Sequence, residues 1–71
     1  MPARSGATRR VAGRVVEIRV RRNLSQEALA KKARINRVTL ARLERALHPP
    51  RLDTLERIAR ALGVSLATLV R

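Results

Sequence analysis

Apolar residues recur at helical spacing near the start of the chain. Val11, Val15 and Ile18 stand at positions i, i+4 and i+7, which places them on one face of an α-helix. The pattern predicts a first helix over residues 8–22. Asn23 then suits a left-handed capping position, because asparagine tolerates that backbone conformation best after glycine.

Three further helix starts share one sequence pattern. In each, a polar residue able to cap a helix follows one apolar residue and precedes another by four positions. The polar side chain caps the first turn, and the two apolar residues pack together as a hydrophobic staple. The three sets are Leu24, Ser25 and Leu29; Ile35, Asn36 and Leu40; and Val64, Ser65 and Leu69. They predict helices that begin at the capping residues 25, 36 and 65.

The remaining helix is predicted from a different start signal. Asp53 and Glu56 have the spacing of a capping box, which makes Asp53 the expected N-cap. Gly63 closes the helix, and consecutive prolines make the preceding residues 46–52 a loop. The apolar face of this helix consists of Leu55, Ile58, Ala59 and Leu62. Five helices with short connections and no candidate strand predict an all-α, compact five-helix bundle.

The second and third predicted helices are separated only by Arg34 and Ile35. Two short helices joined by such a tight turn are typical of a helix-turn-helix, whose second helix enters the major groove of DNA. The outward face of that second helix carries Arg37, Val38, Arg42 and Arg45. Since guanidinium groups can bond phosphates and base edges, this face favours binding of double-stranded DNA.

The charge balance indicates the same ligand. The 71-residue chain has 17 lysines and arginines against five aspartates and glutamates, a formal net charge of +12. Such an excess suits a polyanion, and duplex DNA is the densest common one. The absence of Phe, Tyr and Trp argues against recognition of single strands or RNA loops, which relies on stacking bases onto aromatic rings.

Other classes of protein find no support in the sequence. The chain has no cysteine, one histidine and no close carboxylate pair, so we expect no metal, no cofactor and no enzymatic activity. The longest weakly polar stretch, residues 61–70, is shorter than the ~20 residues of a membrane span. The N-terminus lacks the apolar middle of a signal peptide. We therefore expect no membrane partner and a cytoplasmic, nucleoid-associated location.

The chain is expected to divide into a flexible basic arm, residues 1–8, and a DNA-binding domain, residues 9–71. Arg4, Arg9 and Arg10 are candidates to reach around DNA or into a minor groove. The alternative is disorder with only diffuse attraction to DNA.

Four motifs occur along the chain: Leu24-Ser-Gln-Glu-x-Leu-Ala, Leu43-Glu-Arg, a proline after the third helix, and Thr54-Leu-x-x-Ile-Ala-x-Ala-Leu-Gly-Val-Ser. Together they resemble the phage repressor and Cro-like helix-turn-helix family, of the XRE type, over about residues 9–71. The resemblance implies a lambda-repressor-like fold and a sequence-specific transcriptional regulator, with repression expected over activation.

The resemblance also implies roles for individual residues. Arg37, Val38 and Arg42 match base-reading positions, where arginine suits guanine and valine suits a thymine methyl group. The alternative for the arginines is a solvated basic face that contacts phosphates only. The residues expected at backbone phosphates are Ser25, Gln26, Thr39 and Arg45; for Ser25 and Gln26 the alternative is that they only start a helix.

Two further expectations concern how the third helix is held. Arg19 and Glu44 match a structural ion pair that fixes this helix relative to the first; a surface ion pair is the alternative. Arg34 and Ala46 stand where the family prefers or often has glycine. A left-handed backbone is strained at a residue with a Cβ, so either the turn is slightly remodelled or packing absorbs the strain.

A homodimer is expected, because the family's operators pair two half-sites about one helical turn (~34 Å) apart. The candidate interface is the apolar side of the last helix, Leu66, Leu69 and Val70; alternatively, Leu66 and Leu69 close the core. Two other functions stay open: an antitoxin with a toxin as protein partner, and a cationic protein that coats DNA or a membrane surface through charge alone. His48 either contacts a phosphate or is a solvated loop residue.

Overall fold

The structure, a computed structural model, describes residues 6–71, which form five α-helices. They are α1 (Gly6–Arg21), α2 (Gln26–Ala33), α3 (Arg37–Glu44), α4 (Leu52–Leu62) and α5 (Leu66–Val70). The predicted all-α, five-helix architecture is confirmed. Within these residues no helix combines the length and the apolar character needed to cross a bilayer.

Every helix contributes to one aliphatic core. The largest fully buried side chains are Val15 of α1, Leu29 of α2, Leu40 of α3, Ile58 and Leu62 of α4, and Leu69 of α5. The apolar residues that precede the capping residues, Leu24, Ile35 and Val64, are half-buried against this core. Their position is the one that a hydrophobic staple requires, so each helix entry is tied to the core beneath it.

The predicted helix starts at residues 25, 36 and 65 are confirmed. Their capping side chains accept backbone N–H bonds, which satisfies donors that have no partner inside the helix. The bonds run from Ala28 N–H to Ser25 Oγ (3.0 Å), from Val38 N–H to Asn36 Oδ1 (2.7 Å) and from Thr68 N–H to Ser65 Oγ (3.2 Å).

The predicted start of α4 is wrong by two residues. Asp53 is not the N-cap, because the helix begins at Leu52 with Arg51 as an N-cap that makes no side-chain hydrogen bond. The N–H of Leu55 bonds the carbonyl of Arg51 at 3.0 Å, so the first turn is already closed there. Asp53 instead stabilises this turn by its charge, since a carboxylate is favourable near a helix N-terminus.

The first helix also begins earlier than predicted. α1 starts at Gly6, and the side chain of Thr8 is buried, so residues 6–8 belong to the folded helix rather than to an arm. Residues 1–5, including Arg4, lie outside the described residues. Arg9 and Arg10 are exposed on the first turns of α1.

The turn between α2 and α3 keeps left-handed geometry without a glycine. Arg34, in this turn, has φ 59°. The residues that follow the ends of three other helices are also left-handed: Asn23 (58°) after α1, Ala46 (56°) after α3 and Gly63 (72°) after α4. The strain at Arg34 is offset by hydrogen bonds around it: the N–H of Ile35 bonds the Ala30 carbonyl at 2.9 Å, and Arg57 donates to the Arg34 carbonyl at 3.1 Å.

Arg34→Gly should therefore raise the free energy of unfolding by about 1 kcal/mol, because glycine adopts this conformation without the Cβ clash. Lys31→Gly is the matched control: it removes the same charge from an exposed position inside α2 and should lower stability by about 1 kcal/mol. Urea denaturation of both variants measures the two effects. Equal changes in the two variants would show that the turn at Arg34 is unstrained.

Candidate nucleic-acid interface

Helix α3 has one buried and one exposed side. Leu40 and Leu43 pack into the core, whereas Val38 remains 49% exposed although it is apolar. The other exposed residues of α3 and its C-cap are polar or basic: Arg37, Thr39, Arg42 and Arg45. All α3 residues predicted to contact bases or phosphates thus lie outside the core, where a ligand can reach them.

A buried ion pair holds the C-terminal end of α3. Arg19 of α1 meets Glu44 in bidentate fashion, with Nε to Oε2 at 2.7 Å and Nη2 to Oε1 at 3.1 Å. The side chains are only 14% and 5% exposed, respectively, so this is not a surface pair. The remaining nitrogen, Nη1, donates to the Leu24 carbonyl at 2.7 Å, just before α2. One guanidinium therefore joins α1 to the start of α2 and to the end of α3.

The position of Glu44 makes this pairing necessary. Its carboxylate lies in the last turn of α3, where the partial negative charge of the helix C-terminus disfavours a second negative charge. Burial would raise the free energy of the ion further unless it is paired and hydrogen-bonded. Arg19 supplies both the opposite charge and two hydrogen bonds.

The α2 N-terminus lies beside this ion pair. Gln26 is half-buried and its Nε2 donates to Glu44 Oε1 at 2.8 Å. Ser25 is exposed, and its hydroxyl oxygen caps α2. Sequence reasoning missed the bond between Gln26 and Glu44, since 18 residues separate them and no local spacing rule signals such a contact.

A groove of about 190 Å³ lies between α3 and the start of α4. Thr39 and Arg42 of α3 line one part of it, and His48, Arg51 and Thr54 line another. His48 is exposed, which is compatible with both of its predicted roles, a phosphate contact and a solvated loop residue. Arg51 and Thr54 were not predicted as site residues. The signal that could have found them is the pair of prolines in the short loop between α3 and the α4 N-terminus.

A second, more basic groove of about 530 Å³ is lined by Lys32, Arg34, Arg57 and Arg60, with Ala33 and Ala61. None of the predicted base or phosphate contacts lies in it. Lys32 and Arg60 belong to the last turns of α2 and α4, where cations offset the negative ends of the helix dipoles. Helix stabilisation therefore accounts for part of this charge cluster.

Helix α5 differs from its predicted role at one position. Leu69 was predicted at a dimer interface, but its side chain is completely buried and closes the core. Leu66 is half-buried and Val70 is 41% exposed. Arg14 of α1 fixes the helix by donating from Nη1 to the Thr68 carbonyl at 2.8 Å. The apolar surface left on α5 therefore consists of Val70, Ala67 and part of Leu66.

The helix-turn-helix family HTH_3 matches residues 15–69, most of the folded chain. The chain belongs to this family. A relative that shares 43% identity over 60 residues is an immunity repressor protein of Bacillus phage phi105. A second, 32% identical over 59 residues, is the cryptic phage CTXphi transcriptional repressor RstR of Vibrio cholerae. The resemblance to phage repressors is thereby confirmed.

Among solved structures, a hypothetical transcription factor NHTF from Neisseria superposes with a TM-score of 0.89 at 28% identity. That match covers all of this chain and 82% of the other. The alignments to the two repressors cover 84% and 83% of this chain but 42% and 53% of those proteins. This HTH_3 chain thus spans about half the length of the curated relatives it matches.

Removing one partner of the buried pair should destabilise the domain strongly. Arg19→Met should lower the free energy of unfolding by roughly 3 kcal/mol, because Glu44 is left buried without its counter-charge. The double variant Arg19→Met, Glu44→Leu should lose less stability than Arg19→Met alone, since neither charge of the pair then remains.

Arg21→Met serves as the control, because Arg21 pairs with Glu17 on the surface, with side chains 72% and 55% exposed. It should change stability by less than about 1 kcal/mol. Chemical denaturation compares the three variants with the wild type. An Arg19→Met effect as small as that of the control would contradict a buried, structural ion pair.

Proposed function

We propose that this chain is the DNA-binding domain of a transcriptional repressor that recognises specific sequences in duplex DNA at the nucleoid. The observation that carries the proposal is the exposed basic side of α3, held at its end by the buried pair of Arg19 and Glu44. Family membership and the two repressors among its relatives support it.

In this proposal α3 lies in the major groove. Arg37, at the first turn of α3, and Arg42, five residues further on, bond guanine O6 and N7, and Val38 contacts a thymine methyl group. Exposure of the apolar Val38 supports this role, because an apolar side chain gains from leaving water on contact with the methyl group. Thr39 and Arg45 contact the backbone at the edges of the groove.

Phosphate contacts flank α3 on both sides. Ser25 and Gln26 stand at the α2 N-terminus, where unpaired N–H groups favour an anion. On the other side, the α4 N-terminus has no side-chain cap, and Arg51 lines the neighbouring groove with His48 and Thr54. A phosphate at each helix start would position α3 without carrying sequence information.

The domain acts as a homodimer in this proposal, with α5 at the interface. The apolar surface that a second copy would cover consists of Val70, Ala67 and the exposed part of Leu66. Two α3 helices about 34 Å apart would then read successive major grooves on one side of the duplex.

Selection of bound duplexes from a random library tests the proposal. We expect an enriched short motif that occurs as two inverted copies about 10 base pairs apart, centre to centre. Enrichment of no motif at all would contradict sequence-specific recognition and favour attraction through charge alone. A motif without an inverted partner would contradict the dimer.

Arg37→Ala and Arg45→Ala each remove one positive charge from the same region, α3 and its C-cap. We expect the two variants to weaken DNA binding in different ways. Arg37→Ala should reduce the binding free energy on the selected site by about 1–3 kcal/mol and relax the base preference at one base pair of each half-site. Arg45→Ala should weaken all duplexes alike and reduce the slope of log K against log salt by about 0.9. Titrations on the selected site and its single-base variants distinguish them. A uniform loss for Arg37→Ala would assign Arg37 to a phosphate.

Val70→Asp should shift the protein toward monomer and weaken binding to the paired site, because a carboxylate would be buried at the interface. Val20→Asp is the control, since Val20 is an exposed valine (56%) on α1. Sedimentation velocity at tens of micromolar measures both, with circular dichroism as a check on helicity. A wild-type protein that is monomeric and binds single half-sites would overturn the dimer.

A further inference from the structure

The side chain of Gln26 is held in one orientation by a neighbouring carboxylate. Its Nε2 donates to Glu44 Oε1 at 2.8 Å. An ionised carboxylate only accepts hydrogen bonds, so the opposite amide orientation would set Gln26 Oε1 against Glu44 and lose the bond. The amide nitrogen has two hydrogens, and one of them stays available.

We propose that Glu44 is a positioning residue for DNA binding: it orients the amide of Gln26 so that the second N–H of Nε2 donates to a DNA phosphate. This inference rests on the proposed phosphate contact of Gln26. It assigns Glu44 a task beyond holding α3, because the same carboxylate also sets which atom of Gln26 faces the ligand.

The negative charge of Glu44 does not oppose this task. Arg19 covers both carboxylate oxygens, and the Glu44 side chain is only 5% exposed. The pair therefore presents almost no net charge to an approaching phosphate. Without Arg19, the same carboxylate would repel the anion that Gln26 is meant to bind.

The bond also links two elements that meet DNA separately. Gln26 is the first residue of α2 and Glu44 the last of α3. A long glutamine side chain loses rotamer freedom when it binds a ligand, and part of that loss has already occurred here on folding. The phosphate donor and the recognition helix are thus positioned as one unit.

A thermodynamic cycle tests the inference, with affinities for one selected duplex measured for wild type, Glu44→Gln, Gln26→Ala and the double variant. The substituted amide at 44 keeps the shape of glutamate but offers either an acceptor or a donor, so it no longer selects one orientation of Gln26. In the chain that keeps Gln26, Glu44→Gln should weaken DNA binding roughly two- to tenfold. It should have little effect when Gln26 is alanine.

The possible outcomes separate this inference from the proposed function. If Gln26→Ala binds as tightly as wild type, the phosphate contact is absent and the positioning role falls with it. If Gln26→Ala weakens binding but the two losses add, the contact stands and the positioning role is wrong. If the double variant loses little more affinity than Gln26→Ala alone, the positioning role is supported.

A second measurement tests the inference on the wild type alone, for the case that the Glu44→Gln variant does not fold. In the wild type, one Nε2 proton of Gln26 should already be shifted downfield from its position in a free glutamine side chain before DNA is added, because that proton is bonded to Glu44. On addition of DNA, the other proton should shift more. Replacing the contacted phosphate by a neutral methylphosphonate should reduce that shift. Both Nε2 protons at the positions of a free glutamine side chain in the unbound protein, or no sensitivity to any methylphosphonate, would overturn the inference.

Discussion

The bidentate contact between Arg19 and Glu44 orients the part of the fold that faces a ligand. The core is entirely aliphatic, and such side chains favour burial without favouring one direction of packing. Hydrogen bonds are directional, and Arg19 makes them to Glu44 and to the carbonyl of Leu24. The core thus brings α1, α2 and α3 together, and the guanidinium fixes the angle at which α3 is presented.

Net charge alone would not distinguish one surface of this protein from another. Cations line the groove between α2 and α4 as well as α3, and the larger groove is the one without predicted contacts, at Lys32, Arg57 and Arg60. What distinguishes α3 is the combination of a basic side with an exposed apolar residue, Val38, and with two neighbouring helix N-termini, those of α2 and α4. In the proposed function, charge would attract DNA at long range, whereas this local arrangement would provide selectivity.

Local signals in the sequence predicted local structure well. Ser25, Asn36 and Ser65 cap helices as expected, and Asn23 and Gly63 adopt left-handed backbone, because these effects depend on a few neighbouring residues. The ion pair of Arg19 and Glu44 was expected only through the family resemblance. Errors arose where tertiary packing decides: Asp53 has a valid capping-box partner, yet α4 starts at Leu52, and Leu69 is buried rather than exposed. The bond from Gln26 to Glu44 depends on how whole helices are placed, which periodicity does not encode. The roles in DNA contact stay predictions.

The central claim is that the arrangement around α3, rather than net charge, selects the ligand-binding surface. The most direct test follows backbone amide chemical shifts by NMR while duplex DNA is added at about 0.15 M salt. We expect the largest changes over residues 25–27, over α3 and around the α4 N-terminus, with little change at Lys32, Arg57 and Arg60. Comparable changes at all basic surfaces, including the groove between α2 and α4, would contradict a recognition role for α3.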